Sequence, residues 1–292
     1  MGSFEYFQPA NLSEAMDLLA AYGKNAVVMA GGTDVMVTLN AGELSANCII
    51  GISEIKELKF IKEENGVLRI GPLVTMAEII NNKLIKEKFK SLWKAATMTA
   101  GPQVRNLGTI GGNLGTASPA GDLIPPLMVL DASLITVSKS GENVVKIADF
   151  FSGPKDTILR ADSLIREIRI PFLPKIGASS FEKIGKRKAM SISVASAAAV
   201  VTASTDKMKF ANVKIALGSL APTVVRAEKV EERLRGRPID QKEISEAAEM
   251  VREEIRPMTD GRATAWYRSE VSCSLVRKAL WDALSELGAG RQ

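Results

Sequence analysis

The glycine-rich stretch TAGPQVRNLGTIGGNLGTASPAGD, at residues 99–122, carries the strongest structural signal in the chain. It holds six glycines, separated by residues with small hydroxyl or amide side chains such as Thr109 and Asn113. Glycine costs about 1 kcal/mol per helical position relative to alanine and gives a strand no side chain to pack, so neither a regular helix nor a strand is predicted here. Exposed N–H groups in such a backbone suit an anion, and no carboxylate occurs before Asp122. A surface loop with many turns is the alternative.

A second glycine turn follows a short apolar pattern near the start of the chain. Residues 27–36 read VVMAGGTDVM, which predicts a β-strand that runs into Gly31-Gly32 and then Thr33-Asp34. Neither stretch has the GxGxxG or GxxxxGK[ST] pattern of the common nucleotide-binding loops. Two separate Gly-Gly turns with threonine and asparagine nearby suit one large diphosphate that is held from two sides.

Together, AGGTDVM and TIGGNLGTASPAGD resemble motifs of the flavoprotein subunits of molybdenum hydroxylases, a family that includes xanthine dehydrogenase and aerobic carbon monoxide dehydrogenase. The resemblance extends from FEYFQPANLSEAMDLL at 4–19 to RATAWYRSEVSCSLVRKAL at 262–280, and it is greatest to the separate FAD subunit of bacterial xanthine dehydrogenases. It implies an α+β fold, in which a two-lobed FAD-binding domain of the PCMH (vanillyl-alcohol oxidase-like) type precedes a small α+β domain with an antiparallel sheet and helices.

The expected domain boundaries follow from turn and linker signals in the sequence. Asn65-Gly66 is a strong hairpin-turn signal, and PKIGAS at 174–179 has the proline and glycine of a linker. We predict an FAD-binding domain at residues 1–175, with lobes at about 1–54 and 55–175, and a CO dehydrogenase flavoprotein-like domain at residues 178–288.

The resemblance also implies which residues bind FAD. In it, the two glycine segments hold the pyrophosphate, Asp122 contacts the ribityl or adenosine part, and Lys183 lies near the pyrimidine end of the flavin. The residues alone allow simpler roles. Asp122 is then the N-cap of a helix, Ile165 is a core residue of a strand, and Lys183 is a solvated lysine at the edge of a sheet. The full set is Val27, Val28, Met29, Ala30, Gly31, Gly32, Thr33, Asp34, Thr109, Ile110, Gly111, Gly112, Asn113, Asp122, Ile165 and Lys183.

Composition excludes several kinds of chemistry from this chain. Histidine is absent, which removes the usual general base and the commonest metal ligand. Only two cysteines occur, Cys48 and Cys273, so the chain cannot supply the four ligands of an iron–sulfur cluster. No metal site and no catalytic side chain are predicted here.

Charge and hydropathy narrow the expected partners. Lys and Arg number 38 against 33 Asp and Glu, and few aromatic residues lie among the basic cluster at 183–188, so no nucleic-acid site is predicted. No apolar run reaches the ~20 residues that span a bilayer. The first residues, MGSFEYFQP, lack the pattern of a secretory signal. A cytoplasmic location is expected.

The function implied by the resemblance is electron transfer within a larger enzyme. A small [2Fe-2S] subunit would deliver electrons to FAD, which passes them to NAD⁺ or another acceptor. A large molybdopterin subunit would hydroxylate the substrate, of which a purine such as xanthine is favoured. The expected assembly is a dimer of heterotrimers. The alternatives are a self-contained PCMH-type flavin oxidase and a non-catalytic FAD-binding scaffold.

Overall fold

The first lobe is built on a small parallel sheet. The computed structural model describes residues 4–44 and 46–289. The strand order is β1-β3-β2, and all three strands are parallel, so their carboxyl ends meet at one edge of the sheet. Ligands of open parallel sheets bind at that edge. The elements of this lobe are β1 (Glu5–Phe7), α1 (Leu12–Tyr22), β2 (Ala26–Met29), α2 (Val35–Asn40) and β3 (Cys48–Gly51).

The second lobe packs helices against a five-stranded antiparallel sheet, in the order β4-β5-β10-β6-β7. The predicted hairpin turn at Asn65-Gly66 is confirmed, since both residues have the positive φ that such turns require. The elements are β4 (Ile61–Glu64), β5 (Val67–Ile70), α3 (Met76–Asn81), α4 (Lys83–Lys88), α5 (Lys90–Met98), α6 (Pro102–Leu107), α7 (Ile110–Thr116), α8 (Ile124–Val129), β6 (Ser133–Ser138), β7 (Gly141–Lys146), β8 (Phe151–Gly153), β9 (Asp156–Thr157) and β10 (Leu164–Pro171).

The last part of the chain folds as a four-stranded antiparallel sheet covered by helices. The order is β11-β12-β13-β14, and alanines of β12 pack with Leu275, Val276 and Ala279 of the long terminal helix in one buried core. The predicted α+β class is confirmed. The elements are β11 (Gly177–Gly185), β12 (Ser193–Ala203), β13 (Phe210–Gly218), β14 (Val225–Arg226), α9 (Glu228–Leu234), α10 (Gln241–Glu249), α11 (Val251–Glu254) and α12 (Ala265–Glu286).

The expectation that the glycine-rich stretch forms no regular helix is wrong. Residues 102–107 and 110–116 form the short helices α6 and α7. Glycines flank α6 rather than interrupt it, and a proline occupies its first turn, where the missing N–H costs nothing. In α7 the threonine cap and the burial of Ile110 and Leu114 outweigh the low helix propensity of glycine.

Helix α5 joins the two halves of the molecule, because it packs on β11 and lies beside α12. Lys94 on this helix pairs with Glu182 of β11 and with Asp282 of α12, at 3.1 Å from the latter. Lys278 contacts the same two carboxylates, at 2.7 Å from Glu182 and 3.1 Å from Asp282. Two lysines and two carboxylates therefore alternate across the boundary between the second lobe and the part of the chain that begins with β11. We call this boundary the domain seam.

This ion network predicts an acid-sensitive contribution to stability. Partial burial acts to raise the pKa of Asp282, but the hydrogen bonds that Lys94 and Lys278 donate to its carboxylate outweigh it and lower the pKa to about 2. Because the folded-state pKa is depressed, this stabilisation is present above the ordinary value of 3.8 and is lost as pH falls toward 2. Asp282→Asn is expected to lower the free energy of unfolding by about 1 kcal/mol at neutral pH, since solvent screens the partly exposed pair. Urea unfolding at pH 7, 5 and 3 should show that difference shrinking at pH 3. A difference that stays constant over this range would contradict the assignment.

Candidate functional site

The turn after β2 presents a run of backbone donors at the carboxyl edge of the parallel sheet. Gly32 has φ +70°, a conformation that side chains rarely adopt. Gly31 lies so close to α6 that a Cβ built on it would stand 1.8 Å from the carbonyl oxygen of Leu107. Within the described residues, the N–H groups at positions 31–34 have no hydrogen-bond acceptor. The turn is therefore half-buried at residues 31–33 and offers free backbone donors, which suit an anion.

The second glycine segment uses its N–H groups differently from the prediction. Those of residues 110–113 were expected to be free for a ligand, but all of them bond within the chain. Ile110 and Gly111 donate to Val74 and Pro72, both at 2.9 Å, because the start of α7 is anchored on the loop that precedes α3. Gly112 and Asn113 donate to the Thr109 hydroxyl and carbonyl. This segment therefore forms a fixed wall of the site, and its backbone N–H groups are not free to bind a ligand.

The wall still offers a polar atom to a ligand. The side-chain oxygen Oδ1 of Asn113 is buried and has no partner. It faces Gly121, on which a Cβ would lie 3.3 Å from it. A buried acceptor without a partner is costly unless a donor occupies the site. A ligand hydroxyl fits that requirement.

A side-chain clasp joins the two glycine segments. The hydroxyl of Thr116, at the end of α7, donates to Oδ2 of Asp34 at 2.8 Å. Thr33 contributes a hydroxyl that lies against Gly108. With the close approach of Gly31 to Leu107, these contacts fix the donor turn against α6 and α7.

Removal of the α7 cap tests how much the wall depends on one hydroxyl. Thr109→Ala is expected to lower the free energy of unfolding by about 1 kcal/mol, because Gly112 N–H loses its acceptor at the start of the helix. Thr109→Ser keeps that acceptor and is the matched control. Urea unfolding of both variants measures the difference, and equal stability of the two would contradict the capping role.

Asp122 is buried and belongs to no helix cap. It is 5% exposed, and its carboxylate accepts from the Lys183 ammonium and from the Ser193 hydroxyl. The Thr99 hydroxyl lies 3.4 Å from the same carboxylate. Helix α8 begins after Leu123 without a side-chain cap, so the N-cap alternative is wrong. Burial raises the pKa of Asp122 above its ordinary value, and the contacts with Lys183, Ser193 and Thr99 oppose that rise.

Lys183 is equally enclosed, although it lies on an edge strand of its sheet. Its side chain is 5% exposed, which rules out the alternative of a solvated lysine. The ammonium donates to Asp122 and, at 3.1 Å, to the carbonyl oxygen of Met98. The pair crosses the seam between the two domains, because Asp122 precedes α8 and Lys183 lies in β11.

A cavity opens beside this ion pair. Its volume is about 380 Å³, within the range of small-molecule sites. Met98 lines it from one domain and β11 with its following loop from the other, so the cavity lies at the domain seam. Three of its lining side chains are cationic. The lining residues are Met98, Lys183, Ile184, Gly185, Arg187, Lys188, Ala189 and Ser191.

Most of the predicted site residues are connected by one continuous series of contacts, which we call the track. The donor turn at 31–34 contacts α6 and α7, Asn113 faces Gly121, and Asp122 reaches Lys183 at the cavity. Residues 27–29 lie in the half-buried strand β2, and Ala30 follows it. Ile165 is buried in β10, in the same core cluster as Ile110, which agrees with a core role.

Sequence reasoning missed three residues of this track. Thr99 and Thr116 lie in the glycine-rich stretch, and their polarity was the available signal. Ser193 lies seventy-one positions from Asp122, and only the pairing of β11 with β12 brings it there. Nothing in its local sequence, AMSISV at 189–194, marks it as a partner of Asp122.

The fold has two domains, and the predicted site residues include a turn with free backbone donors and a lysine that lines a cavity at the domain seam. Residues 2–173 match the family described as FAD binding domain in molybdopterin dehydrogenase, and residues 180–283 match the CO dehydrogenase flavoprotein C-terminal domain. The chain belongs to the family of FAD-binding medium subunits that includes those of xanthine dehydrogenase and carbon monoxide dehydrogenase.

Individual relatives support this assignment over nearly the whole chain. The chain is 32% identical to the nicotinate dehydrogenase FAD-subunit of Eubacterium barkeri, over 99% of both chains. It is 30% identical to a xanthine dehydrogenase FAD-binding subunit of Escherichia coli, over 98% of both. It also superposes on a chain of carbon monoxide dehydrogenase from Hydrogenophaga pseudoflava with a TM-score of 0.94, 28% identity and 98% coverage of each chain. FAD is thus the cofactor of this chain, which is a subunit of an oxidoreductase.

Two further features concern only the part of the chain that the structure describes. No helix in residues 4–44 and 46–289 is long and apolar enough to cross a membrane. The same residues contain no group of three or more histidine, cysteine, aspartate or glutamate side chains placed to hold a metal ion.

Proposed function

We propose that the track from the donor turn to the seam cavity is the FAD site. The free N–H groups at 31–34 bind the diphosphate, Asn113 Oδ1 accepts from a hydroxyl of FAD, and the cavity beside Lys183 receives the flavin ring. The observation that carries the proposal is the orphaned, buried Oδ1 of Asn113 midway along this track. The proposed binding residues are Val27, Val28, Met29, Ala30, Gly31, Gly32, Thr33, Asp34, Thr109, Ile110, Gly111, Gly112, Asn113, Asp122, Ile165 and Lys183.

The charges of the track fit the charges of FAD. Free backbone donors at 31–34 match the two negative charges of a diphosphate. At the other end, Lys183, Arg187 and Lys188 line the cavity, and cations there favour the electron-rich reduced flavin. Asp34 would repel the diphosphate, but its carboxylate is turned to the Thr116 hydroxyl.

The proposed role is electron transfer inside a molybdenum hydroxylase. When bound, FAD supplies two-electron storage and exchange with one-electron or hydride partners. The chain binds and orients it, and no side chain of the track needs to act as acid or base. We propose a small [2Fe-2S] subunit as electron donor, a large molybdopterin subunit as the place of substrate hydroxylation, and a dimer of heterotrimers as the assembly. We further propose NAD⁺ as acceptor, a purine such as xanthine as substrate, and the cytoplasm as location.

The proposed domain division follows the same reasoning. The FAD-binding domain comprises residues 1–175, with lobes of about 1–54 and 55–175, and the second domain comprises residues 178–288. The ion pair of Asp122 with Lys183 then links the two domains at the cofactor.

Anaerobic titration of the FAD-loaded chain with NADH tests the acceptor. Rapid bleaching of the flavin absorbance is the expected result, since electron exchange with NAD⁺ runs in both directions. A flavin that NADH leaves oxidised would contradict NAD⁺ as acceptor and would direct attention to oxygen, a quinone or ferredoxin.

The two rival functions differ from this proposal in what accompanies the chain. A self-contained flavin oxidase would bind FAD but would be isolated without iron or molybdenum. A non-catalytic scaffold would bind FAD and exchange no electrons. Metal analysis of the complex isolated through this chain is expected to find both iron and molybdenum. Their absence from an otherwise active flavoprotein would favour the oxidase.

A further inference from the structure

Asp122, Ser193 and Lys183 form a buried chain of hydrogen bonds that ends at the seam cavity. Ser193 is fully buried and donates to one oxygen of Asp122, while the Lys183 ammonium donates to the other. Of these residues only Lys183 lines the cavity. Asp122 therefore lies behind the cation, as seen from the space that the flavin ring is proposed to fill.

The geometry holds the ammonium in one place. Two of its three N–H groups have acceptors, namely Asp122 and the carbonyl oxygen of Met98. Thr99 approaches Asp122 from the end of α5. Charged groups nearby include Arg105, whose guanidinium is occupied with the carbonyl oxygens of Thr97, Thr99 and Ala100. Arg187 and Lys188 line the same cavity as Lys183.

We infer that Asp122 and Ser193 are positioning residues that fix the Lys183 ammonium at the cavity wall and balance its charge, and thereby set the reduction potential of FAD. The inference rests on the proposed FAD site. The carboxylate neutralises the cation in the resting protein, so the flavin meets a net neutral pair. Since charges interact strongly in a low-dielectric site, a change in this balance changes the relative stability of oxidised and reduced flavin.

The direction of each effect follows from charge. Asp122→Asn removes the balancing negative charge, so the ammonium favours reduced flavin more and the potential rises. Ser193→Ala removes a hydrogen bond that stabilises the ionised carboxylate. Loss of this hydrogen bond leaves one carboxylate oxygen without a donor and favours the neutral carboxyl, as burial already does, so Asp122 balances the ammonium less well and the potential rises by a smaller amount. Lys183→Met removes the cation, and the potential falls.

The test is the midpoint potential of FAD bound to each variant at pH 6.5, measured by anaerobic dye equilibration. Asp122→Asn is expected to raise the ratio of affinities for reduced over oxidised FAD about tenfold, which is about 30 mV for a two-electron couple. Lys183→Met is expected to lower that ratio about tenfold, and Ser193→Ala to raise it a few-fold. The matched control is Asp282→Asn, which removes another carboxylate paired with a lysine at the domain seam, but away from the cavity lining, and is expected to leave the ratio unchanged.

The outcomes separate this inference from the proposed site. If wild-type protein retains no FAD, the proposed function fails. If FAD binds but Asp122→Asn and Lys183→Met leave the potential unchanged, or shift it in the same direction, the positioning role is overturned. If Asp122→Asn does not fold, Ser193→Ala and Lys183→Met provide the test, because the first is expected to raise the potential of FAD and the second to lower it. Equal potentials in those two variants would equally overturn it.

Discussion

Gly31→Ala is expected to weaken FAD binding about 100-fold. A methyl group at this position would stand 1.8 Å from the Leu107 carbonyl oxygen, which is backbone and cannot rotate away. The turn must therefore move away from α6 and α7, and its free N–H groups no longer converge. Loss of two hydrogen bonds to a charged group, at about 1.5 kcal/mol each, corresponds to about two decades in affinity. Fluorescence titration of the apoprotein with FAD measures this directly.

The same substitution is expected to destabilise the fold, because overpacking of a close contact costs about 1–3 kcal/mol. Gly261→Ala is the matched control, since no atom lies within 4 Å of a Cβ built there. That variant should bind FAD as the wild type does and unfold at the same urea concentration. If Gly31→Ala also bound FAD with wild-type affinity, the donor turn would not be the diphosphate site.

Separate and joint removal of the Asp122–Lys183 pair is expected to give strongly non-additive losses of stability. Asp122→Ala leaves the ammonium buried with one carbonyl oxygen as acceptor, and loss of one partner of a buried pair costs about 3–5 kcal/mol. Lys183→Met leaves the carboxyl buried, where burial and the loss of the cation favour its neutral form. The double variant leaves no unpaired buried charge and should be more stable than Asp122→Ala alone.

Urea unfolding of the two single variants and the double variant closes the thermodynamic cycle. The expected coupling is about 2–3 kcal/mol, at the upper end for residues in contact. Simple addition of the two single losses would mean that the pair is not coupled in the folded protein. A parallel cycle of Asp282→Asn with Lys94→Met serves as comparison, because this partly exposed pair should show less than half that coupling.

Local sequence was sufficient for the elements whose signals are short-range. The hairpin at Asn65-Gly66 needs only a turn dipeptide between two strand patterns, and the turn at Gly31-Gly32 needs only a strand that meets two glycines. Both were predictable because the residue that adopts positive φ is itself the signal. The structure adds what the sequence could not supply, namely that Gly31 is packed against Leu107.

The glycine-rich stretch shows the opposite case. Its propensity argues against helix, yet α7 forms because Thr109 caps it and Ile110 and Leu114 are buried by elements remote in sequence. For the same reason its N–H groups were wrongly expected to be free. Those of Ile110 and Gly111 bond to the loop before α3, and a contact of that kind has no local pattern.

The roles of Asp122 and Lys183 depended on the resemblance to a family, because residues alone left an N-cap and a solvated lysine open. Only the tertiary structure decides between these readings, since it buries both side chains against one another across two domains. Ser193 had no sequence signal at all. Its part in the site comes from the register of β11 with β12.

The visible absorption spectrum of the purified chain, after incubation with FAD and gel filtration, tests the central claim most directly. We expect a flavin spectrum with one FAD per chain, and a Gly31→Ala sample that loses the flavin on the column while Gly261→Ala retains it. A wild-type chain that emerges folded and colourless, even after excess FAD, would contradict the proposed site.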